Sequence, residues 1–410
     1  MMVSVSTKTQ TELQAEAQTQ ALPSPQLLTP VVAESSGEHW KWRARPRVLV
    51  TDVIHPAGRA MVRDLAASGF EVIGSDSRPV GTSLRSRYLD DYRAYSPITS
   101  PTFTEDFLRL VAEVKPDVVM PLSTKIVQLL CENGMPQAVV PPAEAFHVAF
   151  DKMRTQAECR LLGIPAPRIF ELDEARDFVA RGETVVVKPG TDVGGARGVF
   201  YVDKPAALEE AIAVCRSQHG EPLIQEFIPG GADSMLTAVV LFDRDTRLIA
   251  HFTTRKMRQT PHTGGNTAAS VSTDDRKLVD QMMPFFEKWR WRGPAEVELK
   301  LDPRDGQAKV IEVNPRFPGY LRFPIGCGLK LPTLAVLETL GRPLPAGIGY
   351  KLDARYFEPA LYLRSAAGEL RHSKNKLGVI RRLFAELTGG RPRLFLDVTD
   401  PGPRIAHYFS

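Results

Sequence analysis

The run Val310-Ile311-Glu312-Val313-Asn314-Pro315-Arg316-Phe317 constrains this chain more than any other stretch. An apolar segment rich in β-branched residues carries a carboxylate, an amide and a guanidinium at alternate positions. Side chains on a strand alternate between faces, so Glu312, Asn314 and Arg316 line one side. Upstream, Ala295-Glu296-Val297-Glu298-Leu299-Lys300 reads as a second strand, and Asp302-Pro303-Arg304-Asp305-Gly306 as the hairpin turn between them. Pairing the two sets Glu298 beside Glu312, with Asn314 one step beyond. Two carboxylates and an amide oxygen on one face make a hard-oxygen site suited to Mg2+. Without a cation, neighbouring carboxylates repel. The competing reading is an exposed sheet face whose acids pair with Lys300 and Lys309. The paired strand, with the lysines and glycines upstream, favours a metal site with Glu298, Glu312 and Asn314 as ligands.

At 410 residues the chain has room for two or three domains with ample core. A net charge of +4 is small for that length and leaves no footprint for nucleic acid. No apolar run approaches the ~20 residues a membrane helix needs. The four cysteines lack CxxC spacing, so neither a zinc site nor a disulfide framework is expected. Residues 1–45, rich in Gln, Thr, Ser, Ala and Pro, read as a disordered tail without a secretory signal, in keeping with a cytoplasmic protein.

Structure is expected to begin with the strand Arg47–Asp52, a helix-period stretch over 58–68 and the strand Phe70–Asp76. This βαβ unit opens an N-terminal Rossmann- or flavodoxin-like domain over 46–140. Its first turn lacks GxGxxG, which argues against a nicotinamide site. The pattern over 151–162 is helical, with Asp151 as cap and Gly163 as stop. Thr184–Lys188 is a strand that enters the loop 189–198, with glycines at 190, 194, 195 and 198, and returns as a strand near Val199–Val202. Glycines let backbone N–H groups close on phosphate oxygens. A Walker loop would instead end in Gly-Lys-Ser/Thr and open a helix. The loop reads as a hairpin lid over phosphates or, from its glycines alone, as a surface hairpin. Arg255, Lys256 and Arg258 stand beside Gly264-Gly265, a cluster that either binds phosphate and a substrate carboxylate or is a solvated charge run. Residues 346–410 form an α+β extension with a basic segment from Arg371 to Arg382.

In Glu298 with Ile311–Arg316, in Val186-Val187-Lys188-Pro189 and in Leu223-Ile224-Gln225-Glu226-Phe227-Ile228-Pro229-Gly230, the chain resembles the ATP-grasp enzymes. The resemblance covers about residues 46–340 and is nearest to the carbamoyl-phosphate-synthase-like, carboxylate–amine ligase branch. It implies an α/β chain in which a flavodoxin-like pre-ATP-grasp domain precedes a two-lobed α+β ATP-grasp domain over 141–345. It also implies ATP and Mg2+ (or Mn2+) as cofactors. Lys152 and Lys188 would meet the phosphates, Gly194 and Gly195 would sit in the lid, Gln225, Glu226, Phe227 and Ile228 would hold adenine, and Asp233 the ribose. Arg316, with a cation from Lys256 and Arg258, would stabilise the transferring group. Two stretches depart from the family pattern. Relatives often carry an acid where this chain has Pro121-Leu122-Ser123-Thr124-Lys125, and smaller residues in place of Phe317–Pro324.

The activity so implied is an ADP-forming ligase that makes an acyl phosphate from a small carboxylate and passes the acyl group to an amine. Its partners would be those two small molecules, with no nucleic acid and no membrane, and with a homodimer left open. The chain carries no biotin-carrier segment or glutaminase domain, which argues against a complete carboxylase or carbamoyl-phosphate synthase. The alternatives are another ATP-grasp phosphoryl transfer or carboxylation, and a non-catalytic nucleotide-binding regulator. Neither the acid nor the amine is legible in the residues.

Overall fold

The computed structural model describes residues 44–78, 85–191, 197–260, 265–373, 375–388 and 392–393. The tail expected over 1–45 falls outside these residues up to position 43, and so do Gly194 and Gly195 of the loop.

Strands β1 (Arg47–Val50), β2 (Glu71–Asp76), β3 (Asp91–Ala94) and β4 (Val118–Met120) form a parallel sheet in the order β3-β2-β1-β4. Helices α1 (Pro56–Ala67), α2 (Phe103–Val114) and α3 (Thr124–Glu132) cover it. β1 shows why both faces are covered. Val48 and Val50 join the core on the α1 side, whereas Leu49 joins Phe107 of α2 and Ile126 of α3. The doubly wound class is as expected. The order 3-2-1-4 matches the start of the Rossmann order 3-2-1-4-5-6 rather than the flavodoxin order 2-1-3-4-5. Pro56 sits in the first turn of α1, and His55 accepts from Ala57 N as its cap. A Cβ on Gly58 would lie 2.3 Å from the Asp52 carbonyl oxygen, so only glycine lets this helix start so close to β1.

Helices α4 (Ala143–Phe150) and α5 (Lys152–Leu161) follow. The Asp151 carboxylate accepts from the backbone N–H groups of Met153 and Arg154 and fixes where α5 begins. Gly163, at φ +68°, follows its end. A small lobe comes next, made of α6 (Leu172–Ala180), β5 (Val185–Pro189), β6 (Phe200–Val202), α7 (Pro205–His219) and β7 (Pro222–Glu226). Its antiparallel sheet β6-β5-β7 buries Val185 and Val187 against Val179 of α6 and Leu208 and Ile212 of α7.

The large sheet contains β8 (Met235–Phe242), β9 (Leu248–Thr260), β10 (Asn266–Thr273), β11 (Gly293–Leu301), β12 (Ala308–Asn314), β13 (Arg355–Phe357) and β14 (Pro392–Arg393). Its order is β12-β11-β8-β9-β10-β13-β14. β11 and β12 pair with Glu298 opposite Glu312 and Glu296 opposite Asn314, the register expected from the hairpin. A bulge after Glu298 resets the alternation. As a result Val310 and Val313 both enter the core, while Ile311 and Glu312 both border the cleft.

Besides short helices at Arg276–Asp280, Met283–Lys288 and Arg322–Gly326, the described residues contain α8 (Leu331–Thr339), α9 (Pro359–His372) and α10 (Lys376–Thr388). One continuous core joins α1, α8 and residues Val239, Leu241 and Phe252 of the large sheet. Within it the fully buried Phe323 stacks on Tyr356 at 5.3 Å and meets Phe252 edge-on at 5.0 Å. Truncating Phe323 to alanine costs about 3–5 kcal/mol. Asp64 of α1 accepts from both N and Oγ1 of Thr333 on α8, and burial pushes its carboxyl up to about 6. Among the described residues no helix is long and apolar enough to cross a membrane.

Candidate active site

A cavity of about 1820 Å³ opens between the parallel sheet, the small lobe and the large sheet. Alternation on β9, β11 and β12 aims Lys256, Glu296, Glu298, Glu312 and Asn314 into it, and Arg316 follows directly. From the small lobe come Lys188, Gln225, Phe227 and Ile228, and Lys152 enters from the first turn of α5.

The acids on this face are interleaved with ammonium groups rather than left facing one another. Lys152 Nζ lies 3.3 Å from Glu312 Oε2, and Lys256 Nζ lies 3.1 Å from Glu298 Oε2. Neither Lys300 nor Lys309 takes that part. Lys300 Nζ sits 5.2 Å over the Phe227 ring, and Lys309 pairs with Asp302 at 2.6 Å. Burial pushes the Glu312 carboxyl up, but the charges of Lys152 and Lys188 outweigh it and hold Glu312 below the ordinary glutamate range. Lys188 is 6 % exposed, and burial, helped by the charge of Lys152, pulls its ammonium down to about 8. The cleft therefore holds a lysine that is short of anionic company.

Arg316 is anchored from two sides. Its Nε donates to Thr124 Oγ1 at the start of α3 (3.0 Å), and its Nη2 reaches Asn314 Oδ1 at 3.5 Å. Asn314 in turn donates through Nδ2 to Glu312 Oε1 (3.2 Å) and Glu296 Oε2 (3.3 Å). Among the described residues no three acidic, His or Cys side chains gather as a preformed metal cluster. The donor set nonetheless suits a hard cation, because two carboxylates and an amide flank one spot. To serve as a ligand, Asn314 must turn its amide over so that Oδ1 replaces Nδ2.

The structure does not bring every anticipated residue to the cleft. Arg258 requires correction as a catalytic group. Its guanidinium is 6 % exposed and is gripped by Glu386 (Nε to Oε2 2.6 Å, Nη2 to Oε1 3.1 Å) and Glu369 (Nη1 to Oε2 2.7 Å), with the Tyr362 ring 5.4 Å away. Those partners lie on α9 and α10, so Arg258 holds the extension to β9. Asp233 sits exposed in a short 3-10 turn and does not border the cavity. Glu226 borders it, but its carboxylate pairs with Arg304 at 2.5 Å and Lys309 at 3.7 Å.

Sequence reasoning passed over Glu296, although it stands two residues before Glu298 and so shares its face. Glu296 is 4 % exposed, and burial together with the charge of Glu298 raises its carboxyl to about 7. It also passed over Thr124 as the anchor of Arg316, a contact across 192 residues with no local signal.

Residues 149–320 match the family model of the ATP-grasp domain. Over 98 residues the chain is 33% identical to a D-aspartate ligase of Enterococcus faecium, a stretch covering 23% of each chain. Over 357 residues it is 24% identical to the carbamoyl phosphate synthase large chain of Thermus thermophilus, covering 79% of this chain and 34% of the relative. The matches thus span under a quarter of the first relative and about a third of the second. Among solved structures, a biotin carboxylase–β,γ-ATP complex from Campylobacter jejuni is similar at TM-score 0.63 and 16% identity, over 76% of this chain and 74% of that one. At that identity the likeness is one of fold. The model match, the paired acidic strands and the two-lobed cleft agree: residues 149–320 of this chain are an ATP-grasp domain.

Proposed function

We propose that the chain is an ATP- and Mg2+-dependent ligase that activates a small carboxylate as an acyl phosphate and joins it to an amine. The observation that carries this reading is the pairing of Lys152 with Glu312 and of Lys256 with Glu298 in a single cleft that Lys188 borders from the small lobe. Each lysine of the two ion pairs has a carboxylate partner that a divalent cation would take over, which frees the ammonium for phosphate. The name of the D-aspartate ligase relative supports acid–amine joining.

The apolar side chains of Val186, Ile228 and Met235 border the small-lobe side of the cavity, and there Gln225 keeps a buried Oε1 without a hydrogen-bond partner among the described residues. A purine amino group would satisfy that oxygen. Lys188, held below its ordinary range by burial, gains a favourable partner when phosphate arrives. Glu298, Glu312 and the turned amide of Asn314 would hold Mg2+, which neutralises phosphate charge when bound. Phosphoryl transfer to a carboxylate asks mainly for positioning and charge stabilisation. Arg316, fixed by Thr124 and Asn314, supplies a preset guanidinium to the transferring group, and Lys256 supplies a second cation. The small lobe over the cleft excludes water from the activated acid.

Release of ADP is the test, measured with panels of small carboxylic acids and amines. The expected result is ADP formation that needs an acid and rises with an amine, and that yields a hydroxamate when hydroxylamine replaces the amine. Tight ATP binding with no turnover across the panels would point instead to a nucleotide-binding regulator. Turnover indifferent to amine and without hydroxamate would point to another phosphoryl transfer.

A further inference from the structure

The basic segment from Arg371 to Arg382 does not border the cleft. Five of the ten large apolar side chains exposed among the described residues nevertheless lie on the two helices it joins. One is Leu363 of α9. The other four, Leu377 (62% exposed), Ile380 (52%), Phe384 (67%) and Leu387 (41%), follow one another along α10 at spacings of three, four and three. At about 100° per residue, those spacings gather them into one stripe about 80° wide. The opposite side of α10 is already in use. Val379 is buried, Leu383 packs on the small core that holds Phe357 and Tyr362, and Glu386 grips Arg258. The stripe is therefore a second apolar face, turned away from the protein.

The charges around that face all have one sign. Lys376 and Arg381 stand at the two edges of the stripe. The only acids of α9 and α10 are Glu369 and Glu386, and both turn inward to bind Arg258, with Glu369 also paired to Arg382. Arg371, Lys376 and Arg381 are exposed and form no ion pair among the described residues. Because Arg258 draws the acids in, the outer surface keeps cations alone. Two copies of the chain joined through the stripe would bring those cations together. A neutral partner would leave them unmatched. A surface of anionic lipid headgroups answers both features: the apolar side chains enter the acyl boundary, and the long Lys and Arg stems lie along the stripe with their charges among the phosphates. A fluid interface also accepts a convex ridge without a matching groove.

We propose that α10 is a docking surface for an anionic lipid bilayer. The helix lies in the interface plane, with Leu377, Ile380, Phe384 and Leu387 inserted and Lys376 and Arg381 at headgroup level. This mode needs no spanning helix, and it departs from the expectation of no membrane partner. It stands apart from the ligase reading, since none of these residues touches the metal or phosphate groups of the cleft. The docked helix is nonetheless tied to the cavity through Arg258 and α9, whose Ala360, Leu361 and Arg364 form part of the cavity wall.

Centrifugation of the full chain with lipid vesicles is the test. Wild type should sediment with phosphatidylcholine vesicles containing ~30 mol% phosphatidylserine and stay in solution with phosphatidylcholine alone, and added salt should weaken the association. Phe384→Ser removes an exposed ring and leaves the charge as it was. It should weaken vesicle binding about 10- to 100-fold at unchanged Tm. Arg381→Gln should weaken it about fivefold. Equal binding by wild type and Phe384→Ser overturns the proposal, because only the general attraction of a basic protein to anionic lipid would then be at work. Failure of wild type to bind the anionic vesicles overturns it as well. In that case a dimer in analytical ultracentrifugation that Phe384→Ser dissociates gives the stripe to a second copy, and a monomer leaves it to an acidic protein.

Discussion

Replacing Glu312 by glutamine tests the electrostatic reading of the cleft because two arguments give opposite signs. Two facing acids taken alone repel, so removing one should stabilise the free protein. In the structure, however, Glu312 is 26% exposed and pairs with Lys152, which is 12% exposed, at 3.3 Å. Its charge also supports Lys188. Removing one member of a fully buried pair costs about 3–5 kcal/mol, and an exposed pair is worth about 0–1. The intermediate exposure places Glu312→Gln at a loss of about 1–2 kcal/mol. With ~2.1 cal/mol/K per residue, unfolding 410 residues carries roughly 0.9 kcal/mol/K, so Tm should fall about 2 °C. The pH dependence follows from the same charges. A carboxyl held below its ordinary range contributes stability above that range and loses it as pH falls through the folded value. The gap between variant and wild type should therefore be full at pH 7 and close in acid. Differential scanning calorimetry from pH 3.5 to 7.5 measures it, and ADP release should be abolished in the same variant. A Tm that rises at pH 7 would refute the account of Lys152 and Lys188 as partners of the acid.

The other expectations are shorter. Lys188 titrates near 8 when folded and near 10.5 otherwise, so the protein should gain stability as pH rises from 8 to 10.5, and Lys188→Met should remove that rise. Nucleotide binding at pH 8.5 should take up a proton, seen calorimetrically in buffers of different ionisation enthalpy, and the uptake should vanish in Lys188→Met. Arg316→Ala should lower kcat and kcat/KM together by 10²–10³-fold with ATP affinity nearly unchanged; an equal loss of ATP affinity would assign Arg316 to ground-state binding. Arg258→Ala leaves Glu386 without its guanidinium and Glu369 with Arg382 alone, and should destabilise by about 3–5 kcal/mol in chemical denaturation. Near-normal stability with lost turnover would return Arg258 to a catalytic role.

What could be read in advance was whatever the local chain dictates. Period-two alternation fixed the shared face of Glu298, Glu312 and Asn314, and the turn Asp302–Gly306 fixed their register. Asp151 marked a helix start because its carboxylate caps within the next three residues. The bulge after Glu298 left no trace in composition, so the inward turn of Ile311 was not legible. Arg258 was misjudged for a physical reason: beside Lys256 it looks like a free cation, and the acids that neutralise it stand 111 and 128 residues further on. The lysines that keep Glu298 and Glu312 apart are likewise 42 residues or more away from their acids. Long-range charge pairing is decided by topology, and a single sequence does not carry it.

The small lobe keeps its own core, with every member between Phe170 and Ile224. The parallel sheet, by contrast, shares its core with the large sheet through α1 and α8. The molecule is therefore built as an anvil and a jaw. The anvil carries Glu298, Glu312 and Arg316, and moving one part of it against another would open a continuous apolar seam. The jaw carries Lys188 and Gln225, and polar ties such as the pairs from Glu226 to Arg304 and Lys309 latch it to the β11–β12 hairpin. Ionic strength weakens such ties and leaves apolar seams intact. Raising salt should thus loosen the jaw while the spacing among Glu298, Glu312 and Arg316 stays fixed, so that closure of the cleft and the geometry of its acidic wall respond to different conditions.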